Sequence, residues 1–159
     1  MLLLADPTTH RESRPALDAT AAALGLTLRE DVVSTPQQFE RALREAKDGG
    51  ISGVNVLSSA LLFALRGYII NLAAELGLPA MYQWPETVDE GGLIAYGPSL
   101  RAAFRQVTTL VDKVLKGAKP GDIPVEQPTR FSLVINLKTA SMGLTVPPLT
   151  LLRADRAIE

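Results

Sequence analysis

Apolar residues fall along this chain in two alternating spacings. Short runs such as Leu2-Leu3-Leu4, Val54 to Leu57 and Ala80 to Tyr82 alternate with longer stretches where apolar residues recur at three and four positions. The runs predict buried strands and the longer stretches predict amphipathic helices. Leu2 to Ala5 reads as a strand, followed by a loop at Asp6-Pro7-Thr8-Thr9. A helix starts near Ser13 to Pro15, puts Leu17, Ala21 and Leu24 on its core face, and ends at Gly25 in an αL cap. Thr27 to Ser34 reads as a second strand. Thr35-Pro36-Gln37-Gln38 has the form of a capping box, and the helix behind it buries Phe39, Ala42, Leu43 and Ala46 before stopping at Gly49-Gly50. After the strand Val54 to Leu57, Ser58 or Ser59 caps one helix running through Leu62, Leu65, Ile69, Leu72, Ala73 and Leu76 to Gly77. Pro79 then leads to the strand Ala80 to Tyr82.

This β-α alternation predicts an α/β fold: a parallel sheet with right-handed crossovers and helices on both faces. Leu3, Val54, Val56 and Met81 are expected in or near it. The punctuation sharpens after Gly91. A strand ends at Tyr96-Gly97, and Pro98 presets a helical φ. Leu100, Ala103, Phe104, Val107, Val111, Val114 and Leu115 form one apolar stripe. Lys113 and Lys116 suit the end of that helix, and Gly117 and Pro120 stop it. Gly121, Pro124 and Pro128 mark an extended, surface-hugging segment, and Phe131, Leu133 and Ile135 alternate as in a strand. Residues 1–97 are therefore read as a βα-repeat lobe. Residues 98–159 are read as a C-terminal segment making one compact unit with it.

Composition narrows the chemistry. At 159 residues, one domain is the default. A net charge of −1, with both signs interspersed, leaves no electrostatic footprint for nucleic acid. The absence of cysteine excludes disulfides, thiol catalysis and cysteine-ligated zinc. Met1-Leu2-Leu3-Leu4 is too short for a signal sequence, and no apolar run has the length of a membrane span.

Enzymatic constellations are missing as well. His10, in the polar loop after the first strand, is the only histidine and cannot anchor a histidine-based metal site alone. A Ser-His-acid triad would need His10 with Ser58 or Ser59, and no Gly-x-Ser-x-Gly elbow surrounds either serine. The loop after the first strand lacks the glycines of a phosphate-binding turn, and Gly49 to Gly53 precedes a strand instead of following one. Glu86, Asp89 and Glu90 are carboxylates in a punctuated loop with nothing to set a catalytic spacing. The reading is a non-enzyme without cofactor or metal.

Ligands of parallel α/β sheets bind beyond the carboxyl ends of the strands. That rule nominates Asp6, Thr8 and Thr9, then Ser58 and Ser59, then Tyr82 and Trp84, with Tyr96 beside them. Large amphipathic rings there suit an apolar or aromatic solute with a few polar handles.

The run GGLIAYGPSLRAAFRQVTTLVDKVLKGAKPGDIPVEQPTRFSLVINLKTA, with Val146-Pro147-Pro148 through Arg153-Ala154-Asp155, resembles the C-terminal signature of ABC-transporter substrate-binding proteins. Two departures stand out: Ala95 where that family usually has serine, and a segment Thr139 to Leu144 one residue shorter than usual. The resemblance implies a lobe of a type I periplasmic-binding-protein fold. It implies a small organic or amino-acid-like solute held by hinge closure, a membrane permease as partner, and a periplasmic or exported location. It also implies a preceding lobe, which is not in this chain. Without that lobe, the stripe from Leu100 to Leu115 loses part of its cover, and a homodimer is expected. The alternative is an orphan structural or interaction module that self-associates without transport function.

Overall fold

The N-terminal apolar run forms β1 (Leu2–Ala5), in which all four residues are fully buried. Successive strand residues point to opposite faces, so both faces of β1 are covered. Both of its edges are paired too, in parallel, by β2 (Arg29–Val32) and β3 (Val54–Val56). This is a computed structural model. It describes residues 1–140 and 143–159, with the side chains of residues 10–13 left out. Beyond β3 lie β4 (Ala80–Tyr82), β5 (Ile94–Gly97), β6 (Ser132–Asn136) and β7 (Arg156–Ile158), giving the order β2-β1-β3-β4-β5-β6-β7. The α/β expectation holds, with one difference: β6 runs antiparallel to β5, so the sheet is mixed and mostly parallel. Of the four residues expected in the sheet core, Leu3, Val54 and Val56 are buried. Met81 is half-buried, while Ala80 and Tyr82 beside it point inward.

The helices fill the crossovers. Helix α1 (His10–Ala23) begins earlier than the Ser13–Pro15 start read from sequence, and His10 is its first residue, not a loop residue. The turn that starts it is made by Asp6, whose carboxylate accepts from the backbone of Thr8 and Thr9. Leu24 falls at the cap, 67% exposed, and only Leu17 and Ala21 face the core. Helix α2 (Pro36–Asp48) buries Phe39, Ala42, Leu43 and Ala46 as patterned. Thr35 Oγ1 accepts from the Gln38 N–H at 3.3 Å, and Gln38 reaches back to the N–H of Ser34, one residue before the cap.

The single helix expected after β3 is two: α3 (Ala60–Ala64) and α4 (Arg66–Glu75), broken at Leu65. At the break the Phe63 carbonyl accepts from the Arg66 guanidinium at 2.9 Å, a side-chain bond that competes with the helical ladder. A short α5 (Glu86–Asp89) precedes β5.

Helix α6 (Leu100–Leu115) buries none of its residues. Its N-cap is Ser99, so Pro98 stands one position ahead of the cap and two ahead of the first helical residue. A 3-10 turn at Pro120–Asp122 follows, and the strap beyond it runs beside α6, with Val125 94% exposed and Glu126 bonded to Gln106. The alternation read at residues 131–135 fails: Phe131 is exposed, while Val134, Ile135 and Asn136 are all buried. Pairing with β5 on one edge and β7 on the other encloses β6 from more sides than alternation assumes. Helices α7 (Leu137–Ala140) and α8 (Pro148–Arg153) complete the chain. The shortened segment at 139–144 includes Ser141 and Met142, which lie outside the described residues.

One backbone approach sets how β5 leaves the sheet. A Cβ on Gly97 would fall inside the Gln83 carbonyl oxygen. Gly97→Ala is expected to cost about 1–3 kcal/mol in urea unfolding, because the strand must shift to admit the methyl group. Gly121→Ala, in open space, is expected to stay within about 0.5 kcal/mol of the parent. Equal stability of the two variants would contradict the close approach.

Candidate functional site

The strand order reverses at β1, since β2 lies on one side of it and β3 on the other. The loops leaving the carboxyl ends of β1 and β3 therefore diverge, and a crevice opens between them. Asp6 begins the first loop and Ser58-Ser59 close the second; Trp84 follows β4, and Tyr96 lies in β5.

Asp6 is buried and works inward. Its Oδ1 accepts from the Thr8 N–H at 2.9 Å, the Thr8 hydroxyl at 2.6 Å, the Thr9 N–H at 3.0 Å and the Thr9 hydroxyl at 3.2 Å. Burial by itself would raise the Asp6 pKa. The Thr8 and Ser59 hydroxyls and the N–H groups of Thr9 and Thr8 outweigh it, lowering the pKa to about 2 from an ordinary 3.8. Asp6 is thus an anion at neutral pH that shapes its own loop, with the Ser59 hydroxyl of the β3 loop helping to keep it ionised. Ser59 has a second task, accepting from the Leu62 N–H at 3.0 Å to cap α3. Of the two serines, Ser59 is the cap, and Ser58 is left exposed at the crevice.

Beside Ser59 is an aromatic wall. Phe63 and Trp84 meet edge to face, with ring centroids 6.3 Å apart and planes at 76°. The Arg66 guanidinium lies 4.2 Å from the Phe63 ring centre and is held by Glu90 at 2.8 Å. Ser59, Phe63, Arg66, Tyr82 and Trp84 border a crevice of about 10 Å³, room for one water. Tyr82 is 3% exposed, and its ring lies against Gly92, where a Cβ would come within 3.0 Å of it. Burial pushes its phenol pKa well up, so it stays neutral. Tyr96 stands apart, half exposed, with its ring 5.8 Å from that of Phe131 across the β5–β6 pair.

The structure therefore joins Asp6, Thr8 and Thr9 by hydrogen bonds, and joins Ser59, Tyr82 and Trp84 around one crevice. Ser58 is exposed and belongs to neither group, and Tyr96 belongs to a different aromatic pair. Phe63 and Arg66 were missed in the sequence, because their three-residue spacing reads as an ordinary helix face. The loop carboxylates are structural anchors, each with its own partner. Glu86 accepts from Ser99 Oγ at 2.8 Å, Asp89 pairs with Arg156 at 2.7 Å, and Glu90 pairs with Arg66. Among the described residues there is no cluster of His, Cys, Asp or Glu able to hold a metal, and no helix is long and apolar enough to cross a membrane.

The model of the ABC transporter substrate binding protein family matches residues 8–158. The chain belongs to that family. It is a family of binding proteins, not of enzymes. Three solved structures share the fold. A conserved domain protein from Vibrio cholerae O1 biovar El Tor has 21% identity and a TM-score of 0.86, and the match covers 98% of this chain and 53% of that one. An ABC domain from Streptococcus pneumonia, solved in complex with L-Trp, has 21% identity and a TM-score of 0.86, covering 99% and 54%. The ligand-free, open structure of CD0873 from Clostridium difficile, a substrate binding protein with adhesive properties, has 16% identity and a TM-score of 0.67, covering 99% and 53%. The chain thus spans about half the length of the solved structures it matches. No curated protein matches its sequence.

The pKa of Asp6 gives a signed prediction. A carboxyl whose pKa is lower in the folded state stabilises that state fully above its unfolded value, near 3.8, and loses the contribution as pH falls through about 2. Asp6→Ala is expected to cost about 1–2 kcal/mol at pH 7, as loss of a helix-entry acceptor does. The difference between variant and parent should shrink between pH 4 and pH 2 in acid titrations of stability. A gap that does not narrow would show that the charge contributes nothing.

Proposed function

We propose that this chain is a solute-binding lobe of an ABC importer and takes an amino-acid-like solute with an apolar or aromatic side chain. One observation carries the reading: in a member of a substrate-binding family, the loops after β1, β3 and β4 lie along the carboxyl edge of the sheet, beside the crevice at the reversal of strand order. They bring hydroxyls, an ionised carboxylate and the Phe63–Trp84 wall together. The candidate contacts are Thr8, Thr9, Ser58, Ser59 and Trp84 directly, with Asp6 ordering the loops and Tyr82 backing the wall. Tyr96 with Phe131 is a further contact at the outer end of the same edge. The pneumococcal relative solved with L-Trp favours an aromatic amino acid as the first solute to try.

On this reading residues 1–97 and 98–159 act as one lobe, and a second wall closes over the solute by a hinge motion. The bound form engages a membrane permease, and the protein works in the periplasm or outside the cell. A thermal-shift panel of amino acids tests the binding claim, since a ligand of the native state raises apparent stability by mass action. L-Tryptophan and other aromatic amino acids are expected to raise the melting temperature, with weak affinity because a single lobe supplies one wall. Trp84→Ala is expected to weaken binding by at least tenfold, about 1.4 kcal/mol. A panel without any shift at millimolar solute, or a Trp84→Ala variant that binds as the parent does, would overturn the reading.

The α6 face supports a second reading, self-association. Phe104 is 68% exposed, Val107 52%, Val111 50% and Leu115 81%, all on one stripe. Covering such side chains is worth about 1.5–3 kcal/mol each when complete, so the stripe drives association. A two-fold homodimer in which each copy covers the other's α6 is the simplest closed arrangement. Light scattering on a sizing column is expected to give twice the monomer mass, and Phe104→Glu to return it to the monomer. A monomer at tens of micromolar would defeat this reading and leave the solute-binding one standing.

A further inference from the structure

Helix α6 is fastened to the sheet at its base, and the fastening comes from the loop that carries Trp84. Glu86, two residues after Trp84, has its Oε1 2.8 Å from the Ser99 hydroxyl, which donates to it, and 3.3 Å from the Arg101 N–H. Ser99 uses the same oxygen to accept from the Ala102 N–H at 3.4 Å, so one side chain is both the cap of α6 and the link to Glu86. Trp84 and Glu86 share a single tight turn, because the Trp84 carbonyl accepts from the Thr87 hydroxyl at 2.6 Å and the Thr87 N–H at 3.0 Å. The residue before Trp84, Gln83, is the one whose carbonyl excludes a side chain at Gly97. The turn is therefore held to the exit of β5 on one side of Trp84 and to the entry of α6 on the other.

Alternative anchors for α6 are few. None of its residues is buried, and Gln106 and Lys113 pair with Glu126 of the strap that follows the helix, not with the sheet. The second carboxylate oxygen of Glu86, Oε2, is buried and has no hydrogen-bond partner. A capping carboxylate on an open surface would avoid that cost by turning to water. Burial acts to raise the Glu86 pKa. The N–H groups of Glu86 itself, Arg101 and Leu100 and the Ser99 hydroxyl outweigh it, so the group stays ionised, as suits a helix N-terminus. Glu86 and Ser99 open on a crevice of their own, also bordered by Asp89, Arg101, Asp155 and Arg156, and Arg156 is engaged by Asp89.

We infer that Glu86 is a positioning residue that couples the Trp84 turn to α6, so that a displacement of Trp84 by solute changes the angle at which α6 leaves the sheet. The inference rests on the proposed solute site only for the source of the displacement. The coupling itself belongs to the protein without solute, and is tested there.

The chain has no cysteine, so spin labels placed at Ser52→Cys and Thr109→Cys report the sheet-to-α6 distance without background. The double-labelled chain, diluted with unlabelled chain, is measured by pulsed electron–electron resonance in the Glu86 background and in Glu86→Ala, Glu86→Gln and Ser99→Ala. Glu86→Ala and Ser99→Ala are expected to widen the distance distribution about twofold, as loss of a local anchor lets a segment move. Glu86→Gln, which keeps an acceptor oxygen, is expected to stay near the parent. A folded Glu86→Ala with the parent's distribution would overturn the coupling. If Glu86→Ala does not fold, Ser99→Ala decides, and an unchanged distribution there overturns it equally. Failure of all amino acids in the thermal-shift panel would leave these distances untouched, so the two claims fail separately.

Discussion

The complete burial of β1 is the constraint on which the rest depends. Leu2, Leu3 and Leu4 are covered above and below, and β2 and β3 close both edges. A strand enclosed in this way cannot slip, because a one-residue shift would break both ladders at once. The reversal of strand order beside it is then a fixed feature, and the loops after β1 and β3 must diverge there. Asp6 turns that divergence into a defined shape. Its ionised carboxylate holds Thr8 and Thr9 on its own loop. The polar part of the candidate site is therefore rigid before any solute arrives, the condition under which a binding site loses little by ordering.

The other half of the architecture obeys the opposite rule. Helix α6 has a cap, a regular apolar stripe and a glycine stop, so the helix itself is well specified. Its apolar face nevertheless has no fully buried residue. Patterning decides that a helix forms and which face is apolar, but not what covers that face. The chain spans about half the length of its structural relatives, and the uncovered face and the pairing of Tyr96 with Phe131 lie in the segments that leave and re-enter the sheet.

Much of the fold was legible because local and long-range signals agreed. Thr35, Pro36 and the spacing of Phe39, Ala42, Leu43 and Ala46 all specify α2, and the helix appears residue for residue. Where one signal was overridden, the reading failed. The run from Leu62 to Leu76 has helical spacing throughout, but the helix breaks at Leu65, where the Arg66 guanidinium bonds the Phe63 carbonyl. The alternation in β6 was overruled by enclosure between β5 and β7, and β7 carries the exposed Arg156 and Ala157, with little strand signal of its own. In the site, strand ends located the hydroxyls and Trp84. Sequence could not choose between Ser58 and Ser59 as cap, since both suit the position, and it could not pair Phe63 with Trp84, since that contact crosses two strand-to-helix loops. Glu86 looked like a solvated loop carboxylate because its partners, Ser99 and Arg101, lie beyond an intervening strand.

On the proposed reading, solute engages the loops at the carboxyl edge around the β1–β3 reversal. Amide chemical shifts of the labelled chain, followed during titration with L-tryptophan and then with other amino acids, test it most directly. The account predicts saturable shifts concentrated in Asp6 to Thr9, Ser58 to Ala60 and Gln83 to Trp84, with smaller ones at Ser99 to Ala102. Shifts confined to the α6 stripe, or to the separate cavity of about 120 Å³ bordered by Ala73, Gly77 and Leu144, would contradict it.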